Sequence, residues 1–337
     1  MRALGRRLVP AGRAGFPWAP PTWPTGVERP TVEPRLGIHY DTAWSRRYPV
    51  RVARAAALDW GARPALWALA SPRVVGLDRL ATLRPPAIFA ANHKSHLDTP
   101  LLLTLLPARF RHRCVVGAGA DYFFDTAWKA ALWSAAVAAI PIERQRVNRR
   151  SGDLAAELLG RGWSLLIFPE GGRSPDGWGQ PHRPGGAAYL ATRTGVPVVP
   201  VHLEGTGAML PRGSATLRRA SVRASFGEPM APAPGEDARR FATRIEAAIG
   251  ELADAGRTDW WSARVRAARH ETPALTGPDA PAWRRAWELS AREAAERPNA
   301  DRQRGDGWPR GEGWPRGGGW PGTVTAPGTR RRGRLGG

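Results

Sequence analysis

The sequence is poor in three features, each of which would define a class of protein. Its 337 residues contain one cysteine, Cys114, so no internal disulfide can form and a small disulfide-stapled domain is excluded. The longest apolar run, Ala130–Pro141, falls short of the roughly 20 residues that a membrane-spanning helix requires. The first 20 residues also lack the apolar core of a signal peptide. We therefore expect no membrane-spanning helix, whereas attachment to a membrane surface remains open.

Acidic residues are scarce relative to basic ones. The chain has 50 Lys and Arg against 29 Asp and Glu, a formal net charge of +21, and lysine occurs only at Lys94 and Lys129. A surface of this kind attracts polyanions, either nucleic acid or an anionic lipid leaflet. Composition alone does not choose between these two partners.

Composition also divides the chain into a folded middle and irregular ends. The 39 glycines and 33 prolines crowd toward the termini, and we expect a disordered leader at 1–44 and a low-complexity Trp/Pro/Gly/Arg tail at 299–337. Between them, hydrophobic periodicity predicts an amphipathic helical segment at 45–72, a main domain at 73–270 and a helical extension at 271–298.

The segment 45–72 combines apolar residues at helical spacing with arginines, a composition that suits a helix lying in the headgroup layer of a membrane. Pro64 predicts a kink or two short helices in place of one rod. The residues that support this interfacial interpretation are Leu58, Trp60, Leu66, Trp67, Arg46, Arg47, Arg51 and Arg54.

Short apolar runs alternate with helical segments through the main domain. This order predicts an α/β fold in which helices flank a largely parallel or mixed sheet. The predicted strands are Val74–Leu77, Ala87–Ala91, Arg113–Gly117, Ala138–Ile142, Ser164–Phe168, Pro197–Leu203 and Ser221–Phe226. The predicted helices are Pro100–Leu106, Gly152–Leu159, Asp237–Ala255 and Asp259–His270.

The strongest chemical signal follows the strand Ala87–Ala91 and contains Asn92, His93, Ser95 and Asp98. On a continuous helix, His93 and Asp98 would lie about 140° apart and could not meet. A turn at His93 and a helix beginning near Ser95 would let the carboxylate fix the imidazole tautomer, so that the other ring nitrogen serves as a base toward an alcohol. The same residues also resemble a capping box at a helix start.

Two further strands end in charged or glycine-rich segments. The strand Ser164–Phe168 is followed by Pro169, Glu170, Gly171, Gly172, Arg173 and Ser174, and the strand Ala138–Ile142 is followed by Glu143 and Arg144. Glycine-rich strand ends present backbone N–H groups, and arginine suits phosphate. Each segment alone would be an ordinary polar turn or solvated surface. Their succession points to one site, because active sites of open α/β sheets gather at strand carboxyl ends.

With these segments in order, the sequence resembles the lysophosphatidic acid acyltransferase (1-acyl-sn-glycerol-3-phosphate acyltransferase) family of glycerolipid acyltransferases. The resemblance covers about Val74–Phe226. Its four motifs match residues 92–98, 140–144, 168–174 and 196–201, with Gly172 where the family has threonine.

The resemblance implies that 73–270 is the acyltransferase domain, with His93 as general base and Asp98 as its orienting partner. It assigns acceptor binding to Arg144, Glu170, Gly171, Gly172 and Arg173, and motif support to Asn92, Ser95, Pro169 and Ser174. The implied reaction moves a fatty acyl group from acyl-CoA or acyl carrier protein to the hydroxyl of 1-acyl-glycerol-3-phosphate, in phosphatidic acid and phospholipid synthesis. No cofactor or metal is implied. The implied partners are the lysophospholipid, the acyl carrier and an anionic membrane, with the protein peripheral on the cytoplasmic face of the cell membrane.

Three alternatives remain open at the level of sequence. The acceptor could be another lysolipid. His93, His96 and Asp98 could be metal ligands of a hydrolase, although no matching downstream histidine cluster is present. The arginines and tail tryptophans could belong to a nucleic-acid-binding or membrane-binding protein without catalysis. That alternative does not account for the ordered strand-end motifs, so nucleic acid is not an expected partner. Cys114 lies in an apolar run and is predicted to be a buried, inert thiol.

Overall fold

The computed structural model describes residues 37–143, 149–173, 176–183, 186–210 and 216–291. The chain divides into a unit of residues 1–289 and a short unit of residues 290–337. Nearly all of the predicted leader, the whole predicted tail, Arg144 and Ser174 lie outside the described residues.

The described residues form helices and strands in alternation. The helices are α1 Tyr48–Ala56, α2 Arg63–Ala70, α3 Asp98–Leu105, α4 Ala108–Arg111, α5 Ala120–Phe123, α6 Ala127–Val137, α7 Arg149–Gly160, α8 Ala187–Thr194, α9 Thr206–Met209, α10 Ala238–Arg257 and α11 Trp260–Ala268. The strands are β1 Arg73–Val75, β2 Ile88–Ala91, β3 Cys114–Gly119, β4 Ala139–Ile142, β5 Ser164–Ile167, β6 Val198–Glu204 and β7 Arg223–Phe226. Residues 282–291 are also helical.

The seven strands form one sheet in the order β1-β7-β6-β2-β5-β3-β4. Every neighbouring pair is parallel except β6 and β7, which are antiparallel. The predicted fold class, an α/β fold with a largely parallel or mixed sheet, is therefore confirmed. Parallel pairing places the carboxyl ends of β2, β5, β3 and β4 at one edge, where the predicted site residues begin.

Helices cover both faces of the sheet, and the strand sequences reflect this. β2 and β5 are buried along their whole length, as expected for strands with no solvated face. Phe89 of β2 belongs to the core beneath α2, α3 and α4, whereas its neighbour Ile88 belongs to the core beneath α7, α8 and α10. The alternation of side chains along a strand thus supplies one central strand to two hydrophobic cores.

The segment predicted to be interfacial is helical but presents a different face from the one expected. α1 and α2 are joined by a π-helical stretch, Ala57–Ala62, and Pro64 lies in the first turn of α2. Leu58 and Leu66 are buried, so they are not available to a membrane, and Arg54 is buried as well. Leu58 and Leu66 pack into the hydrophobic core because both lie on the inner face of the segment.

Several helices were not predicted from the sequence, most notably α6. The apolar run Ala130–Pro141 covers the end of this helix and continues into β4. The helix ends at Val137, and Ala138 adopts a left-handed conformation with φ of 52° before β4 begins. Across the described residues, none of the helices has both the length and the apolar character that crossing a membrane demands.

Candidate active site

The site begins where β2 ends, and Asn92 fixes the direction in which the chain leaves the sheet. The Asn92 side-chain amide donates to the Leu203 carbonyl at 2.9 Å, and Leu203 N–H donates to Asn92 Oδ1 at 2.6 Å. A side chain thereby continues the hydrogen bonding between β2 and β6 for one more residue. This anchor holds the following turn close to the sheet edge.

His93 and Asp98 meet in the structure. His93 Nδ1 lies 2.8 Å from Asp98 Oδ2, and the Asp98 side chain is fully buried. When Nδ1 carries the proton in this bond, Nε2 is left with a lone pair and can act as a base. The turn that was predicted at His93 exists, although α3 begins at Asp98 and not near Ser95.

The same carboxylate oxygen organises the turn. Asp98 Oδ2 accepts hydrogen bonds from Lys94 N–H at 2.7 Å and Ser95 N–H at 2.8 Å. The capping-box interpretation is half correct, because Ser95 N–H reaches the carboxylate while the Ser95 hydroxyl donates to the Leu210 carbonyl at 3.3 Å. One aspartate therefore both orients the His93 imidazole and holds the turn.

The loop after β5 lies directly against His93. The Phe168 ring stacks on the imidazole with centroids 4.1 Å apart and an interplanar angle of 21°. Glu170 Oε1 accepts from His93 N–H at 3.0 Å, and Glu170 Oε2 accepts from Gln180 N–H at 3.1 Å. Burial raises the pKa of Glu170 to about 7, an effect that these two backbone hydrogen bonds oppose. Glu170 thus positions the backbone of His93.

The two glycines of this loop and Arg173 differ in whether they line the cavity described below. Gly171 has φ of 74°, a left-handed conformation that glycine adopts without strain. Gly171 and Gly172 both line the cavity described below. Arg173 is half-buried and does not line it, although its charge contributes to a lowered pKa at His96. The binding roles of Arg144, Glu170 and Arg173 stay predictions.

A cavity of about 370 Å³ opens beside His93. Most of its wall is apolar and comes from β3, β4, β5, α5 and α6, in particular Val116, Ala118, Phe123, Trp133, Val137, Ala139, Ile142 and Ile167. The polar side chains on the wall are His93, His96, Thr99, Glu143 and Arg183. A base at the edge of an apolar cavity is suited to a substrate that has a long apolar part and a reactive end.

Sequence reasoning missed most of the cavity wall, because its apolar residues look like ordinary core. A usable signal was the pair Gly117 and Gly119 within a strand, since glycine in a strand often marks space for a ligand. Arg183 had no such signal, because it lies in a loop and follows no strand end.

His96 lies on the cavity wall and stacks on Tyr122, with ring centroids 5.8 Å apart. Its pKa is lowered, first by burial and then by the charge of Arg173. His96 does not join His93 and Asp98 in a metal site, because the described part of the chain contains no group of three or more His, Cys, Asp or Glu able to hold a metal ion. The metal-hydrolase alternative thus has no ligand set in these residues.

The prediction for Cys114 is confirmed. The thiol is buried in the core on β3, and burial raises its pKa to about 12. A thiol in this state is not a nucleophile at neutral pH.

Comparison with known proteins adds independent information about residues 71–204, which match the family model for Acyltransferase. The 1-acyl-sn-glycerol-3-phosphate acyltransferase BAT2 (chloroplastic) of Brassica napus is 32% identical over 160 residues, covering 47% of this chain and 44% of that protein. The corresponding LPAT1 of Arabidopsis thaliana is 32% identical, covering 47% and 43%. This chain therefore spans less than half the length of these two relatives.

Two further similarities are of different kinds. The lyso-ornithine lipid O-acyltransferase of Pseudomonas aeruginosa is 38% identical over 94 residues, which cover 26% of this chain and 31% of that protein. The crystal structure of the 1-acyl-sn-glycerophosphate acyltransferase PlsC from Thermotoga maritima aligns with a TM-score of 0.44 and 24% identity, covering 64% of this chain and 83% of that structure. The range matched by the family model contains both the His93–Asp98 pair and the loop 168–173.

Proposed function

We propose that this chain transfers a fatty acyl group from a thioester to the hydroxyl of a lysolipid, and the match of residues 71–204 to the Acyltransferase family model supports this proposal. The observation that carries the proposal is the hydrogen-bonded pair of His93 and the buried Asp98 at the edge of an apolar cavity. The pair supplies a base for the hydroxyl, and the cavity offers an apolar environment for an acyl chain.

The proposed reaction is a direct transfer. His93 Nε2 takes the proton of the acceptor hydroxyl as that oxygen bonds to the thioester carbonyl carbon. The C–S bond then breaks, and the imidazolium returns its proton to the leaving sulfur, so that thiol and ester are released and neutral His93 is restored. Asp98 stabilises the imidazolium through the Nδ1 bond of 2.8 Å. A base of this kind contributes about 10²–10⁴-fold in rate.

For the acceptor we propose 1-acyl-glycerol-3-phosphate and for the donor acyl-CoA or acyl carrier protein, in a reaction that feeds phosphatidic acid and phospholipid synthesis. The names of the Brassica and Arabidopsis relatives support this acceptor. Arg144 and Arg173 are proposed to contact its phosphate, because guanidinium groups bind phosphate with paired hydrogen bonds. No metal or cofactor is invoked in any step.

A second acceptor class has a specific observation in its favour. Gly172 lacks the hydroxyl of the threonine found in the family motif, and the Pseudomonas relative is named for a lyso-ornithine lipid. A change at this position could alter which headgroup is accepted. The second candidate function is therefore acyl transfer to a lysolipid whose headgroup is not a phosphate.

We also propose that the chain works as a peripheral protein at an anionic membrane, on the cytoplasmic face. The outward face of the segment 45–72 supports attachment to the membrane, because Tyr48, Val52 and Trp60 are 74%, 48% and 86% exposed. Membrane contact would then come from these apolar residues and not from Leu58 or Leu66.

A panel assay tests the function. Purified protein would be incubated with acyl-CoA or acyl carrier protein thioesters and with lysophosphatidate, lyso-ornithine lipid and phosphate-free monoacylglycerol, and products would be measured by mass spectrometry. We expect ester formation with lysophosphatidate that is lost in His93→Ala. Absence of product with every acceptor, or full activity in His93→Ala, would overturn the proposal.

A further inference from the structure

Residues 176–183, which belong to none of the matched motifs, fold back over the loop 168–173. Gln180 N–H donates to Glu170 Oε2 at 3.1 Å, and the Gln180 side-chain amide donates to the Arg173 carbonyl at 3.2 Å. Arg183 N–H donates to the Pro169 carbonyl at 2.9 Å. The backbone of Arg183 is thereby fixed beside the loop that carries Glu170.

The side chain of Arg183 passes over Gly171. A Cβ placed on Gly171 would lie 2.8 Å from Arg183 Nε, closer than real Cβ atoms approach other atoms, and 3.0 Å from its Cδ. The absence of a side chain at Gly171 therefore makes room for the guanidinium. This steric role adds to the left-handed backbone as a reason for glycine at this position.

Arg183 also lines the cavity together with His93. Among the described residues of the cavity wall, it is the one with a permanent positive charge, and Glu143 is the other charged group. Arg173, the arginine that the family motif identifies, does not line the cavity. A guanidinium in the same cavity as the base is positioned for an anionic group attached to the acceptor.

We propose that Arg183 binds the phosphate of the acceptor from within the cavity, in addition to the contacts proposed for Arg144 and Arg173, so that the acceptor hydroxyl is presented to His93. This proposal rests on the proposed function. A guanidinium donates two parallel hydrogen bonds to phosphate oxygens, whereas a lysine acts as a point charge. The thioester donor also carries phosphate, so the donor and the acceptor must be distinguished by experiment.

The test measures steady-state kinetics of Arg183→Gln and Arg183→Lys with a short-chain lysophosphatidate that stays monomeric. Loss of a charge-assisted hydrogen-bonded contact should raise the KM for this acceptor about 10- to 100-fold in Arg183→Gln, and less in Arg183→Lys. The KM for the thioester and the kinetics with a phosphate-free acceptor should stay within about twofold of wild type. The control is Arg193→Gln, because Arg193 pairs with Asp153 on the surface and lies outside the cavity wall.

Binding can be measured apart from turnover. In the inactive His93→Ala background, titration calorimetry should show the same weakening of lysophosphatidate binding when Arg183→Gln is added. A raised KM for the donor alone, or equal losses with phosphate-bearing and phosphate-free acceptors, would overturn the assignment. In those cases wild type would still form product and His93→Ala would not, so the failure would be separate from that of the proposed function.

Discussion

At the scale of single residues, His93 and His96 form a natural pair for comparison. Both line the cavity, but only His93 bonds to Asp98. We expect His93→Ala to lower kcat at least about 100-fold, because the base is removed, and His96→Ala to have a much smaller effect. Rates would be measured with both variants at saturating substrates, with circular dichroism to confirm folding. Equal losses would contradict the assignment of His93 as the base.

Asp98→Asn probes the orienting carboxylate while keeping its size. The neutral amide no longer stabilises an imidazolium, and it must still accept from Lys94 and Ser95 N–H to hold the turn. We expect kcat to fall at least about 100-fold with little change in acceptor KM, because the lost interaction operates in the transition state. A change in KM alone would show that Asp98 only shapes the turn.

Glu170 should give folding stability a distinctive dependence on pH. Its pKa is raised to about 7 in the folded chain from 4.5, so the folded state binds a proton more tightly than the unfolded state. Its stabilising contribution is complete below pH 4.5 and is lost as pH rises through 7, by on the order of 3 kcal/mol.

The measurement is the free energy of unfolding of wild type and Glu170→Gln between pH 4.5 and 8. Glutamine does not titrate. Its NH₂ group is a donor and must face either His93 N–H or Gln180 N–H, which are also donors, so one hydrogen bond is lost. The variant should therefore be less stable than wild type at low pH. The difference between the two proteins should shrink as pH rises. A difference that is constant with pH would mean that Glu170 titrates normally.

At the scale of elements, the outward face of the segment 45–72 predicts membrane attachment. Tyr48, Val52 and Trp60 are exposed and apolar, whereas Arg54 is buried and donates to the Ser45 and Ala135 carbonyls at 2.9 and 3.2 Å. Arg54 therefore fixes the segment against α6, and the exposed residues can enter the headgroup layer.

We expect the combined change Tyr48→Ser, Val52→Ser and Trp60→Ser to reduce sedimentation with anionic vesicles several-fold. Activity on a monomeric short-chain acceptor should be unchanged, because none of the three residues lines the cavity. Trp261→Ser is the matched control, since Trp261 is 68% exposed on α11, which packs on α10 behind the opposite face of the sheet. Unaltered binding by the triple variant would remove this segment as the anchor.

At the scale of the whole molecule, β2 supports both cores and carries the site at its end. Phe89 is almost fully buried and packs edge to face on Phe110, with ring centroids 5.3 Å apart. Phe89→Ala should lower the free energy of unfolding by about 3–5 kcal/mol through lost burial and a cavity. Chemical denaturation would measure it, with the exposed Trp283→Ala as control. A loss below about 1 kcal/mol would contradict the central position of β2.

The sequence alone indicated the strands and the class of sheet, and the resemblance to a family added the pairing of His93 with Asp98. β2 is a continuous apolar run and β5 is apolar after Ser164, and short runs of this kind are typical of strands buried on both faces. Parallel strands bring their carboxyl ends to one edge, so the residues after β2 and β5 were expected at the same edge of the sheet, whereas the pairing of β2 with β5 came from the structure. The His93–Asp98 contact is local, spanning five residues, and was therefore within reach of reasoning from spacing.

Only the tertiary structure decided which side chains face the cavity and which faces of the helices stay exposed. Glu170 bonds to His93 N–H across 77 residues of sequence, and Arg183 reaches the cavity because residues 176–183 fold back on the loop 168–173. Arg54 is buried, and Trp60 is exposed, although both lie in one apolar and basic segment. Periodicity identifies a helix and its apolar positions. Which face of the helix is buried depends on packing partners that are distant in sequence, and these contacts leave no local signal.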